Sequence, residues 1–442
     1  MAEALMRKKV IIMGAAGRDF HNFNVLYRAD ASHDVVAFTA TQIPFIEKRT
    51  YPPSLSGPLY PVGIPIFPEE ELESLVKRSG ATEAVFSYSD VSYEHVMRQA
   101  AFCSSIGVDF ILPSHQKTML KSTRPVISVC AVRTGCGKSG ISRYIGRLLL
   151  EMGMKPVVIR HPMPYGELAS QRLQRFSTLE DLDRHQCTIE EMEEYEPHIR
   201  AGLVVYAGVD YEAILREAEK EGAVIIWDGG NNDLPFIQPG LEITVVDPLR
   251  PGHELLYYPG EVNLRRAHAV IINKANGADA TAMKTVIENI RGVNRNAVII
   301  KTASVVKTDS PIKGKRAVVI EDGPTLTHGG MNYGAGIIAA EAFGAMPIDP
   351  RPFASGTIKK IFEKYPGLGP LLPAMGYSGS QKKELEEAIN STPADLALIA
   401  TPVDLSRVLQ LNKPTVRVSY EIEEMESPGL KGLIEQFAKS LR

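Results

Sequence analysis

Val129-Cys-Ala-Val-Arg-Thr-Gly-Cys-Gly-Lys-Ser139 is the stretch on which the fold turns. An apolar run ends at Ala131, Gly135 and Gly137 allow a tight loop, and a helical apolar pattern runs from Ile141 to Met152. Strand, glycine-bearing loop, Lys-Ser and helix in that order make a P-loop. The candidate nucleotide-binding positions are Thr134, Gly135, Cys136, Gly137, Lys138, Ser139 and Gly140. Loop N–H groups and the positive helix end can cradle phosphates. Lys138 would neutralise β- and γ-phosphate charge as a catalytic group, and the Ser139 hydroxyl would ligate Mg²⁺.

The standard spacing puts glycine five positions before Gly137, where this chain has Val132. The segment Arg133-Thr-Gly-Cys-Gly-Lys-Ser139 instead resembles the deviant P-loop of the MinD/dethiobiotin-synthetase class. In part of that class a second lysine opens the loop, and Arg133 stands there in this chain. The resemblance implies that Arg133 stabilises the transferring phosphate, within one chain or across a homodimer. The alternative is an arginine that merely packs at a strand end.

Further along, Ala223-Val-Ile-Ile-Trp-Asp-Gly-Gly-Asn-Asn-Asp233 reads as the second half of the site. Asp228 at the strand end suits Mg²⁺, and Gly229 and Gly230 let the backbone approach a γ-phosphate. Asn231, Asn232 and Asp233 extend this loop; Asp-Gly-Gly is also ordinary turn chemistry. Between the two halves, Arg160-His-Pro-Met-Pro-Tyr-Gly-Glu167 offers His161, Tyr165 and Glu167 as substrate or metal groups, or a proline bend. Val270-Ile-Ile-Asn-Lys-Ala-Asn276 resembles the Asn-Lys-x-Asp motif that reads guanine, with Asn276 in place of the carboxylate. Asn273, Lys274 and Asn276 are therefore base-side candidates, and the nucleotide is ATP or GTP.

Short unbroken aliphatic runs recur outside this core, among them Lys9 to Met13, Pro156 to Arg160, Ala317 to Ile320 and Leu396 to Ile399. Such runs fit strands buried on both faces, and their alternation with helical stretches predicts an α/β fold. At roughly 150 residues per domain, 442 residues suggest about three. We expect a Rossmann-like α/β domain over 1–124, a P-loop NTPase domain over 125–309, and an α/β segment over 310–442 that could complete the central sheet. The balance of 44% hydrophobic and 23% charged residues excludes disorder, collagen and coiled coil. A formal charge of −3 gives no field for nucleic acid. With neither a signal-like start nor an apolar span, a cytoplasmic location without a membrane partner is expected.

Two other loops are candidates for binding a small anionic substrate. Gly14-Ala-Ala-Gly17 follows a strand and lacks the full dinucleotide spacing, so a nicotinamide site is weak. Arg18, His21, Asn22 and Asn24 could instead serve an anion. Thr325, Thr327, His328, Gly329 and Gly330 could form a second cradle before a helix over Gly334 to Ala342. Cys187 and His198 flank the acidic run Glu190 to Glu196, which reads as a solvated helix rather than a metal site. Cys136, near a helix N-terminus, is expected to have a lowered pKa.

The strings Gly14 to Phe20, Val132 to Ser139, Arg160 to Gly166, Trp227 to Asp233, Glu321 to Gly330 and Pro373 to Tyr377 run nearly the whole chain. On them the sequence resembles a prokaryotic family of predicted P-loop GTPases often described as similar to cyclic 2,3-diphosphoglycerate synthetase. The resemblance implies a phosphotransferase or ligase that moves the γ-phosphoryl of ATP or GTP to an anionic small molecule. A regulatory GTPase acting on a protein partner through its switch loops is the alternative.

Overall fold

In the computed structural model, residues 7–41, 46–161, 166–323, 326, 332–374 and 379–441 are described. Tyr165, Thr325, Thr327, His328, Gly329 and Gly330 lie outside them.

The aliphatic runs do form strands. Lys8–Met13 is central in a six-stranded sheet, between His33–Ala40 and Glu83–Phe86 and parallel to both. A second sheet has thirteen strands among the described residues. At its heart Val126–Ala131 lies between Val224–Asp228 and Leu241–Val246, all parallel and all nearly fully buried. Burial on both faces explains why these strands carry no polar alternation. Parallel strands deliver their C-terminal ends to one edge, where ligands of α/β proteins gather.

The same sheet continues into the last third of the chain. The long strand Val298–Thr308 pairs in parallel with Ala269–Ile272 and antiparallel with Thr415–Glu424. Beyond that seam lie Leu396–Ala400 and Arg316–Asp322. The helix after Arg316–Asp322 spans Ala335–Phe343 and ends at Gly344, whose φ of 75° suits a left-handed cap.

The six-stranded sheet meets the P-loop sheet beside the loop itself. His21 stacks on Phe236 with ring centroids 4.1 Å apart and planes 4° from parallel. Asp90 N donates to Asn232 Oδ1 at 2.8 Å, and Asn232 Nδ2 donates to Val132 O at 3.0 Å. One asparagine thereby ties the loop after Asp228 to both sheets.

The acidic run corrects an expectation. Helix Ile189–Arg200 buries Glu190, Glu191, Glu193 and Glu196, leaving them at most 7% exposed. They are tied inward: Glu191 Oε1 accepts from Gln171 Nε2, Glu193 binds Thr401, and Glu196 meets Arg200 and Arg407. A run of like charges resembles a solvated face until partners from distant segments cover it.

Candidate active site

The strand Val126–Ala131, the loop after it and the helix Lys138–Glu151 build the expected P-loop. Gly137 has φ 91°, and a Cβ there would stand 2.2 Å from Asn273 Nδ2, so the loop needs glycine at this point. Asn273 Nδ2 donates to Cys136 O at 2.9 Å, while its Oδ1 accepts from Thr302 Oγ1 at 3.0 Å. Lys274 Nζ donates to Gly135 O at 2.6 Å and pairs with Asp247 at 2.9 Å. Arg250 donates to Thr134 O at 2.9 Å and also pairs with Asp247. These three side chains hold three of the loop's carbonyls in place.

Asn276 is exposed and exchanges both amide functions with the Ser304 backbone, at 3.0 and 3.3 Å. Arg133, at the loop entrance, turns toward the other sheet: it pairs with Asp90 at 2.6 Å and stacks 3.8 Å from the Tyr257 ring centroid. Cys136 departs from expectation. Its thiol is buried and pushed up to about 11, because loss of water outweighs the nearby Arg250.

Adjacent strands bring Lys138 and Asp228 together, with Nζ 2.9 Å from Oδ1. Arg160, at the end of the next strand, approaches the same oxygen at 3.2 Å and donates to the carbonyls of Asp228 and Gly229 at 2.9 and 2.5 Å. It also pairs with Glu194. His198 Nε2 stands 2.9 Å from the second oxygen, Oδ2. Burial alone would raise the Asp228 carboxyl, but Arg160, Lys138 and the His198 hydrogen bond hold it well below the usual range. Burial and the Arg160 charge push Lys138 down to about 8, against the pull of Asp228.

A cavity of about 710 Å³ opens in front of the loop. Its walls include Thr134 to Gly140, Arg160, His161, Gly230 and Asn231 in the middle. Arg18, Asp19, Tyr88, Ser89 and Asp233 stand on one side, and Glu321, Asp322, Tyr333 and Tyr420 on the other. Thr134 Oγ1 donates to Asn231 Oδ1 at 3.1 Å, and a Cβ on Gly230 would strike the His161 ring at 2.4 Å. Ring burial, with Arg160 and Lys138 nearby, pushes His161 down to about 3, so the imidazole is neutral.

Of the sequence candidates, Arg18 lines the cavity whereas His21 and Asn22 do not. His21 Nε2 donates to Thr118 O at 2.6 Å, and Asn22 Nδ2 donates to Ser87 Oγ at 2.9 Å. Arg160 and Asp19 were not singled out from sequence, and His198 was weighed there only beside Cys187, not as a partner of Asp228. Arg160 had a signal in its strand-end position, and Asp19 had one as a carboxylate three residues into a helix. His198, thirty positions from Asp228, had none.

No family model matches the chain. Over 437 residues it is 59% identical to the arginine synthetase ArcE of Thermococcus kodakarensis, covering 98% of both chains. It belongs to the ArcE family. A second relative is the cyclic 2,3-diphosphoglycerate synthetase of Thermococcus sibiricus, 21% identical over 292 residues, 60% of this chain and 67% of that one. Among solved structures, the LpxK of Aquifex aeolicus in complex with ATP has 15% identity and a TM-score of 0.42, over 83% of this chain and 99% of that one. This ArcE-family chain is an enzyme of the synthetase class, and both sequence relatives are synthetases rather than GTPases. Among its described residues, no helix is long and apolar enough to cross a membrane.

Proposed function

We propose that the enzyme is an ATP- and Mg²⁺-dependent synthetase that forms arginine. The observation that carries this reading is the P-loop Lys138 set against Asp228 at the wall of a substrate-sized cavity, in a chain 59% identical to an arginine synthetase. ATP phosphates would lie along the loop N–H groups, and Lys138 would leave Asp228 for them. Asp228 Oδ1 would then be released from its lysine while His198 and Arg160 keep the carboxylate oriented. Ser139 and Asp228 offer the hard oxygen donors that suit Mg²⁺, which supplies charge neutralisation at the phosphates.

Chemistry narrows the acceptor. To make a guanidinium group from an oxygenated precursor, an oxygen on its central carbon must be replaced by nitrogen. Transfer of the γ-phosphoryl to that oxygen releases ADP and creates a leaving group. The incoming nitrogen bonds to carbon and loses a proton, and the oxygen departs as phosphate. Residues 125–309 would hold the nucleotide, while 1–124 and 310–442 supply the two side walls.

The Asn-Lys-x-Asn string gives no preference for guanine, because Asn273 and Lys274 are engaged by the loop and Asn276 by Ser304. The test is ADP and arginine formation from ATP, a ureido amino acid and a nitrogen source, with Lys138→Ala as control. Lys138-dependent arginine is expected, with ATP preferred over GTP. Phosphate release stimulated by 2,3-bisphosphoglycerate and no arginine would overturn the reading.

A further inference from the structure

One corner of the cavity is built from carboxylates rather than from phosphate-binding groups. Asp19 and Asp233 both line it and are 1% and 3% exposed. Asp19 Oδ2 accepts from Ala16 N at 2.6 Å, but its Oδ1 has no hydrogen-bond partner among the described residues. The same holds for Asp233 Oδ1. Both carboxylates are held in place. Asp19 Oδ1 lies against Gly14, where a Cβ would come within 2.1 Å of it, and φ is 109°. The Asp233 backbone is fixed by Asn263 Nδ2, which donates to Asp233 O at 3.0 Å.

Charge counting makes the corner distinctive. Nearby, Lys138 and Arg160 balance Asp228 and Glu194, and Arg133 balances Asp90. Arg18 acts on both Asp19 and Asp233, and Asp233 also takes a hydrogen bond from Ser89 and feels Lys138, which Asp228 already balances. His161, 3.3 Å from Asp233 Oδ2, and His21, on the far side of Arg18, are both neutral. Among the described residues the corner is one positive charge short. Burial and mutual repulsion accordingly push Asp19 up to about 7, and burial pushes Asp233 up to about 6. A buried pair of carboxylates short of positive charge is costly, and a cation at this wall of the cavity supplies the charge.

We infer that Asp19 and Asp233 seat a protonated nitrogen of the second substrate, either an ammonium ion or the ammonium or guanidinium end of a larger molecule. Asp233 lies five residues beyond Asp228, and it lines the same cavity as the P-loop. The seat itself follows from the carboxylates; arginine as a probe of it rests on the synthetase reading.

Trp227 is the chain's one tryptophan, buried next to Asp228, and reports on this region. The experiment titrates wild type, Asp19→Asn and Asp233→Asn with ammonium chloride and with L-arginine, in the presence of ADP and Mg²⁺, following Trp227 fluorescence or heat. Sodium chloride is the control for ionic strength. ADP affinity and melting temperature, measured first, report whether each variant is folded. At least tenfold weaker binding in both variants is expected, with ADP affinity changed less than twofold. Loss confined to ammonium assigns the seat to a free ammonium ion, and loss confined to arginine assigns it to the larger cation. If ammonium binds wild type and fails in the variants while arginine binds none of them, the seat stands and the arginine reading falls. If both probes bind wild type and variants alike, or neither binds wild type more than sodium does, the seat is overturned and the arginine reading is left to its turnover assay.

Discussion

Two corners of one cavity handle buried charge in opposite ways. At the P-loop, Asp228 has both oxygens engaged, by Lys138 and Arg160 on one and His198 on the other. In the wall of the same cavity, Asp19 and Asp233 each keep an oxygen without a donor. The first arrangement closes on itself until a nucleotide draws Lys138 away. The second stays short of a cation. A phosphate site can rest in a self-satisfied state because its lysine is mobile, whereas a fixed carboxylate pair is satisfied only by something that arrives.

The sharpest way to break the first corner is Asp228→Asn. It leaves the buried Lys138 and Arg160 with one anion fewer, a loss worth about 3–5 kcal/mol when one partner of a buried pair is removed. Turnover should fall at least about a hundredfold, since the carboxylate proposed to face Mg²⁺ is lost as well. Denaturant unfolding and ADP release check the two effects separately.

Removing only the group behind that carboxylate should cost less. His198→Ala is expected to raise the Mg²⁺ concentration for half-maximal activity by about tenfold, in line with partners that orient a metal ligand. His198→Gln, which keeps a donor, should recover part of it. An unchanged Mg²⁺ dependence would reduce His198 to a packing role.

Asn273→Ala tests whether bracing the loop matters. It removes one hydrogen bond to Cys136 O, worth about 1 kcal/mol, so the KM for ATP should rise about fivefold with kcat little changed. A GTP preference emerging in this variant would instead return Asn273 to base recognition.

The smallest effect probes the second corner without any ligand. Asp19 has its folded pKa raised to about 7, so between the ordinary carboxylate value and 7 the folded state holds more protons than the unfolded one. Stability from this group is present at low pH and is lost as pH rises toward 7. Asp19→Asn should therefore raise the melting temperature by a few degrees at pH 8 and leave it unchanged near pH 4. Equal shifts at both pH values would mean that the charge of Asp19 is not what strains the corner.

Sequence determined the P-loop, the α/β class and the choice of Lys138 and Asp228 as site residues, because each rests on a local pattern: a strand, a glycine-bearing turn, a strand-end carboxylate. It also marked Asn273 and Lys274 as important, though by likeness to a base-reading motif, whereas their hydrogen bonds run to the loop. Only the tertiary structure decided the rest. His198 reaches Asp228 through the packing of a helix whose acidic residues read as solvated and are buried. Arg133 is taken up by Asp90, in the loop that follows the strand Glu83–Phe86 of the other sheet. Asp19 and Asp233, 214 positions apart, become one corner because two sheets meet beside the loop. Whether a charge is matched depends on which distant groups surround it, and burial turns a missing partner into a demand for a ligand. Local pattern carries no record of either.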